Sequence, residues 1–212
     1  MRRKRLIFAL LICGLVVIGC AMVGPIMSNV ETPKYEGTVL KDNIELRTYA
    51  PMIIASVQIK GNRKDAIGEG FRVLADYIFG NNVLDQNISM TAPVQQQSGK
   101  KISMTAPVQQ QQNNNLWEVS FVMPATFTLE TIPKPINQDV KLNKIPAEKY
   151  ITIEFSGTNS NDNIGEHENI LFNYIRQKQI KVTGKPKYAF YNPPWTLPVM
   201  RRNEIMIQLL DD

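Results

Sequence analysis

Few residues in this chain can carry chemistry, and their types exclude more reactions than they allow. His167 is the single histidine among 212 residues, and both cysteines, Cys13 and Cys20, lie in the first apolar stretch. With no thiol from Ala21 onward, disulfides, cysteine-rich zinc sites and thiol catalysis are excluded from the rest of the chain. One histidine also removes every site that needs two. Gly68-Glu69-Gly70 lacks the third glycine of a phosphate cradle and falls inside a helical pattern, and no serine elbow or His-Glu-x-x-His string occurs. Nothing here nominates an enzyme. What remains suits recognition. Arg201 and Arg202 can each hold a carboxylate through paired hydrogen bonds, but neighbours on a strand face opposite sides, so at most one serves a given pocket. A strand-start ion pair with Glu204 or another acid is the competing use for either.

The elements that position these groups begin after a leader. Arg2, Arg3, Lys4 and Arg5 hold four of the 24 basic residues, and no acid precedes Glu31. The other 20 basic residues nearly balance the 19 acids, so the net charge of +5 belongs to the leader and gives no ground for nucleic-acid binding. Leu6–Val23 runs without a charge, and Val17-Ile18-Gly19-Cys20 resembles the bacterial lipobox, which would make Cys20 the lipidated first residue of the mature chain. An uncleaved anchor helix ending near Pro25 fits the same residues, with its cationic end held in the cytoplasm. Either way the domain is expected to be membrane-anchored and to face the periplasm. The expected division is a leader or anchor over 1–27, a linker over 28–34 and one domain over 35–212, long enough to bury one core.

Within the domain, Tyr35–Leu40, Asn43–Ala50 and Ile53–Lys60 read as strands, and Lys64–Phe79 as a helix with Ile67, Phe71, Leu74, Ala75 and Ile78 on one face. Lys149–Phe155 and a helix over 163–178 repeat that order. Laying Asn62–Ile78 over Asn159–Ile175 gives eight identities in 17 positions, among them Asp65/Asp162, Gly68/Gly165, Glu69/Glu166 and Tyr77/Tyr174. Amphipathicity alone does not require those matches. The pattern predicts an internal duplication: two strand–helix–strand units in a pseudo-twofold α+β fold, with an antiparallel sheet curling around or under two helices.

A shorter repeat lies between the helices. Ile88–Gln97 recurs identically as Ile102–Gln111, and Ser98-Gly99 between the copies signals a hairpin. Gln109–Asn115 reads as a solvated polar loop, and Leu116–Met123 as a strand closed by Pro124.

Several strings then stand in order: Tyr77-Ile78-Phe79-Gly80-Asn81, the two Met-Thr-Ala-Pro-Val copies, Trp117-Glu-Val-Ser-Phe-Val-Met-Pro124, Phe127-Thr-Leu-Glu-Thr-Ile-Pro133, Phe155-Ser-Gly157, Tyr191-Asn-Pro-Pro-Trp195 and Arg201-Arg-Asn-Glu204. Together they resemble the SOUL, or haem-binding protein, family, from about Tyr35 to Leu210. The resemblance implies a distorted antiparallel β-barrel with two flanking helices, and reversible, non-covalent binding of haem or a related tetrapyrrole without catalysis.

It also implies a pocket between the first helix and the loop entering the last strand. On this sequence those elements carry Phe71, Ala75, Tyr77, Ile78 and Phe79 on one side and Trp195, Leu197 and Met200 on the other, with Arg201 and Arg202 as candidate propionate partners. The same apolar residues also suit a core. His167 is the only candidate imidazole axial ligand, and Met90 and Met104 are soft alternatives to it. Asp76 would repel a propionate if it faced the pocket. A protein-interaction or small-amphiphile-binding domain with no tetrapyrrole role is the alternative reading. An open pocket would favour a ligand, and a pocket filled by its own side chains would favour interaction.

Overall fold

The computed structural model describes residues 30–83 and 99–210. Cys20 and the leader, Met90 and the first decapeptide copy, and therefore the proposed hairpin between the copies, lie outside the described residues.

Three strands come first: β1 (Tyr35–Lys41), β2 (Ile44–Tyr49) and β3 (Met52–Lys60). Helix α1 (Arg63–Ile78) follows, then β4 (Asn82–Val83), β5 (Val108–Asn113), β6 (Leu116–Val122), β7 (Lys134–Pro135) and β8 (Lys141–Ile145). The second unit is β9 (Glu148–Phe155), α2 (Asn161–Lys178), β10 (Val182–Phe190) and β11 (Asn203–Leu209). Both helices start on a side-chain cap. Asn62 accepts from the Asp65 amide at 3.0 Å and Ser160 from the Asn163 amide at 3.3 Å. Alternation buries one face of each sheet half against its helix. Ala55, Val57, Ile59, Val119 and Phe121 meet Leu74 and Ile78 of α1, while Ile151, Ile153, Ile205 and Ile207 meet Ile164, Leu171 and Ile175 of α2.

The nine-stranded antiparallel sheet has the order β1-β2-β9-β11-β10-β5-β6-β3-β8. Apart from β1 this order is a palindrome about the β10–β5 ladder, with β9, β11 and β10 answering β3, β6 and β5. That is the arrangement two copies of one unit give when they pack about a pseudo-twofold axis. The halves are not identical. A Cβ on Gly70 would lie 2.6 Å from the Cβ of Val119, so α1 approaches β6 at a distance only glycine allows. His167 stands at the matching position of α2.

Two expectations change. Among the described residues the sheet is not closed: β1 and β8 end the strand order, so the architecture found is an open sheet with two helices rather than the expected distorted barrel. The glutamine run is not a solvated loop either. Residues 108–113 form β5, laddered to β10 on one side and β6 on the other, with Gln109 and Gln110 buried. A central strand satisfies its backbone on both sides whatever its side chains, and the Gln110 amide donates to the Arg63 carbonyl at 2.7 Å.

Candidate ligand-binding site

The segment between β10 and β11 is shaped by polar bonds rather than by burial of its apolar side chains. Arg201 donates through Nε to the Thr196 carbonyl (2.8 Å) and through Nη2 to the Pro194 carbonyl (2.5 Å). The Arg202 amide donates to Asn192 Oδ1 at 2.6 Å, and Asn203 donates to the Gly157 carbonyl at 3.1 Å. Pro198–Met200 adds a 3-10 turn. The chain is thus fixed while Trp195 remains open to solvent.

An apolar cavity of about 450 Å³ lies between this segment and α1. Ile67 and Phe71 line it from α1, Phe190 from the end of β10, Tyr191 and Trp195 from the segment, Met104 and Val108 from the second decapeptide copy, and Val30 from the entering chain. Phe71 is held edge-on against Phe121, centroids 5.5 Å apart. Arg201 is the only charged residue of the lining among the described residues.

Behind Tyr191 sits a buried carboxylate. Glu204 accepts from Tyr191 (2.9 Å), from Arg47 Nη1 (2.8 Å) and from Arg202 Nη2 (2.6 Å) and Nε (2.8 Å). Burial works against the charge of Arg47, and Glu204 more than offsets it, so the guanidinium stays protonated. Burial first, then the Glu204 charge, raises the Tyr49 phenol to about 12 and pushes Tyr191 higher still.

The sequence-derived candidates divide among three places. Phe71, Trp195 and Arg201 meet at the apolar cavity. Arg202, Met200 and His167 line a separate polar groove of about 780 Å³, which Arg201 also borders. Arg202 there is engaged by Glu204 and, at 3.1 Å, by Glu154. His167 stacks on Phe155 with centroids 4.2 Å apart, and its Nδ1 lies 2.8 Å from the Asn163 carbonyl. A carbonyl only accepts, so Nδ1 carries the proton of this bond. Ala75, Tyr77 and Ile78 are core residues, Tyr77 donating to the Pro133 carbonyl at 2.6 Å. Asp76 is exposed and bound by Asn81, away from the cavity. Sequence reasoning did not single out Tyr191, Phe190 or Val30. The Tyr191-Asn-Pro-Pro-Trp195 string held the signal for the first.

The family model for SOUL haem-binding proteins matches residues 30–208. The chain belongs to the SOUL family. No curated protein sequence matches it. Among solved structures, the EcmrR C-terminal domain superposes with TM-score 0.57 at 11% identity, covering 84% of this chain and 99% of that one. A hydrolase from Listeria innocua superposes at 0.52 and 12% identity over 81% of this chain and 94% of its own. At such identities the likeness of this SOUL domain to them is one of fold, an α+β architecture with a large antiparallel sheet and two helices.

The family implies a tetrapyrrole, and the cavity residues fit the body of one. They offer aromatic and aliphatic surface, no carboxylate among the described lining residues, and one guanidinium. They offer iron no imidazole. His167 belongs to the other groove, Tyr191 is committed to Glu204, and Met104 is the one soft donor on the lining among the described residues.

Proposed function

We propose that this domain binds haem or a related tetrapyrrole reversibly and non-covalently in the cavity between α1 and the 190–201 segment. It does so without catalysing a reaction, from a membrane-tethered position facing the periplasm. One observation carries the reading: the cavity is apolar, bounded by Phe71 and Trp195, and not filled by its own side chains. That favours a ligand over a purely protein-interacting role.

Phe71, Trp195 and Phe190 give ring faces to the macrocycle, and Arg201 draws a propionate to the rim. Arg202, engaged by two carboxylates, holds the wall through Glu204 and is not the primary propionate partner. Haem, when bound, supplies a redox-active iron; the chain supplies shelter and orientation. His167, which lines the polar groove and not this cavity, does not ligate it. The tether rests on the leader sequence, whether as a lipidated Cys20 or an uncleaved helix, and labelled palmitate incorporation with and without Cys20→Ser separates the two.

Hemin titrated into a chain starting at Ser28 tests the binding claim. A Soret shift that saturates near one equivalent is expected. A spectrum equal to that of free hemin at micromolar protein overturns it.

A further inference from the structure

Four of the six residues from Trp195 to Met200 are apolar and turned to solvent: Trp195 is 61% exposed, Leu197 46%, Val199 80% and Met200 42%. Such side chains usually fold inward. Here they cannot, because the Arg201 bonds to Pro194 and Thr196 and the 3-10 turn fix the loop with Thr196 buried beneath it. A rigid loop that presents a tryptophan and three aliphatic or thioether side chains is built for a surface less polar than water.

The entering chain indicates which surface. Val30 lines the same cavity as Trp195. The next residue is pinned, since the Glu31 carbonyl accepts from the Ala106 amide at 3.0 Å and its carboxylate from the Ala125 amide at 2.8 Å. The leader's apolar run before Gly24-Pro25 ends at Val23, so residues 24–29 join an uncleaved helix to Val30, and residues 21–29 join a lipidated Cys20 to it. Fully extended, these reach about 20 Å and about 30 Å. A tether that short keeps the cavity mouth close to the bilayer holding the leader. Nor does charge oppose the approach: no acid occurs from Tyr191 to Asn203, Arg201 closes the loop, and the carboxylates in the groove beside Val199 and Met200 are paired, Glu154 with Arg202 at 3.1 Å and Glu45 with Arg47 at 2.7 Å.

We infer that the Pro193–Met200 loop docks on the lipid bilayer carrying the leader and holds the cavity mouth against it, so that the ligand is an amphiphile exchanged with lipid. This rests on the tethered reading given above. Trp195 then serves both sides, with one part of its surface on the cavity wall and the rest among the headgroups, where tryptophan is enriched at membrane surfaces.

The test uses the full chain reconstituted in vesicles of phosphatidylethanolamine and phosphatidylglycerol with dibrominated acyl chains. Trp195 fluorescence is taken as the difference between the wild type and Trp195→Phe, which leaves Trp117 as an internal reference inside the fold. Brominated lipid is expected to quench at least half of the Trp195 component and little of Trp117, and Leu197→Asp with Val199→Asp to abolish that quenching while the chain still floats with the vesicles. A chain that floats with unquenched, iodide-accessible Trp195 overturns the docking and leaves the tether standing. Trp195 shielded from iodide yet unquenched by bromine indicates a second copy or another protein on the loop, and also overturns it. A chain that does not float removes the tether and the docking with it.

Discussion

Tyr191 donates its phenolic hydrogen to Glu204 across 2.9 Å and thereby ties one wall of the apolar cavity to an ion cluster with a buried centre. Within that cluster Arg47 and Glu204 lie 2.8 Å apart, their side chains 1% and 0% exposed. Glu204 thus serves two structural ends, neutralising guanidiniums inside the sheet and fixing the segment that shapes the ligand cavity.

Replacing Glu204 with Gln leaves Arg47 buried without its main counter-charge. Removing one partner of a buried pair costs about 3–5 kcal/mol, at the lower end here because Arg202 is partly solvated and Glu45 still holds Arg47 Nε at 2.7 Å. Guanidinium unfolding should show a loss of about 3 kcal/mol. A loss below about 1 kcal/mol would mean that the cluster is not the anchor described.

The buried tyrosines set an alkaline limit. Burial is the largest cause of a raised phenol at Tyr49 and Tyr188, both to about 12, and at Tyr77, Tyr150 and Tyr191 beyond that. A raised pKa means the folded state keeps protons that the unfolded chain releases from about pH 10. The stabilisation is therefore whole below pH 10 and is lost as pH rises through the folded values. Absorbance at 295 nm should show most tyrosines ionising in one step together with unfolding. Independent ionisation near pH 10 without loss of structure would contradict their burial.

Much of this was legible in the sequence, for definable reasons. The eight matches between Asn62–Ile78 and Asn159–Ile175 marked a duplication, and the palindromic sheet carries it. Period-two and helical spacing located β3, α1, β9 and α2 to within two residues, because those elements bury one face. The glutamine run misled because β5 is held by ladders on both edges, and side-chain polarity says nothing about backbone partners. Phe71 and Ala75 share one apolar helical face, and spacing could not show that the first borders a cavity while the second is covered by the core. His167 and Arg202 are of the same kind as the cavity candidates in sequence, but they line the polar groove while Trp195 lines the apolar cavity.

His167→Ala should leave the absorption spectrum and affinity of a hemin complex unchanged, since the imidazole lines the polar groove. Its cost is the Phe155 stack, about 1 kcal/mol of stability. A shifted Soret maximum in this variant would place the iron in that groove instead.

Gly70→Ala should destabilise the fold by about 1–3 kcal/mol, because the added Cβ meets Val119 at 2.6 Å and α1 must lift from β6. Thermal unfolding checks it. Gly68→Ala, with open space at its Cβ, should instead be neutral or slightly stabilising.

The most direct measurement compares hemin binding by the wild type and by Phe71→Ala/Trp195→Ala, followed by Soret absorbance at equal protein stability. Each aromatic face should contribute about 1 kcal/mol, so an affinity lower by about 30-fold, with saturation near one equivalent in the wild type, is the expected result. Identical saturable curves for both proteins would put the macrocycle elsewhere on the molecule and contradict the cavity assignment.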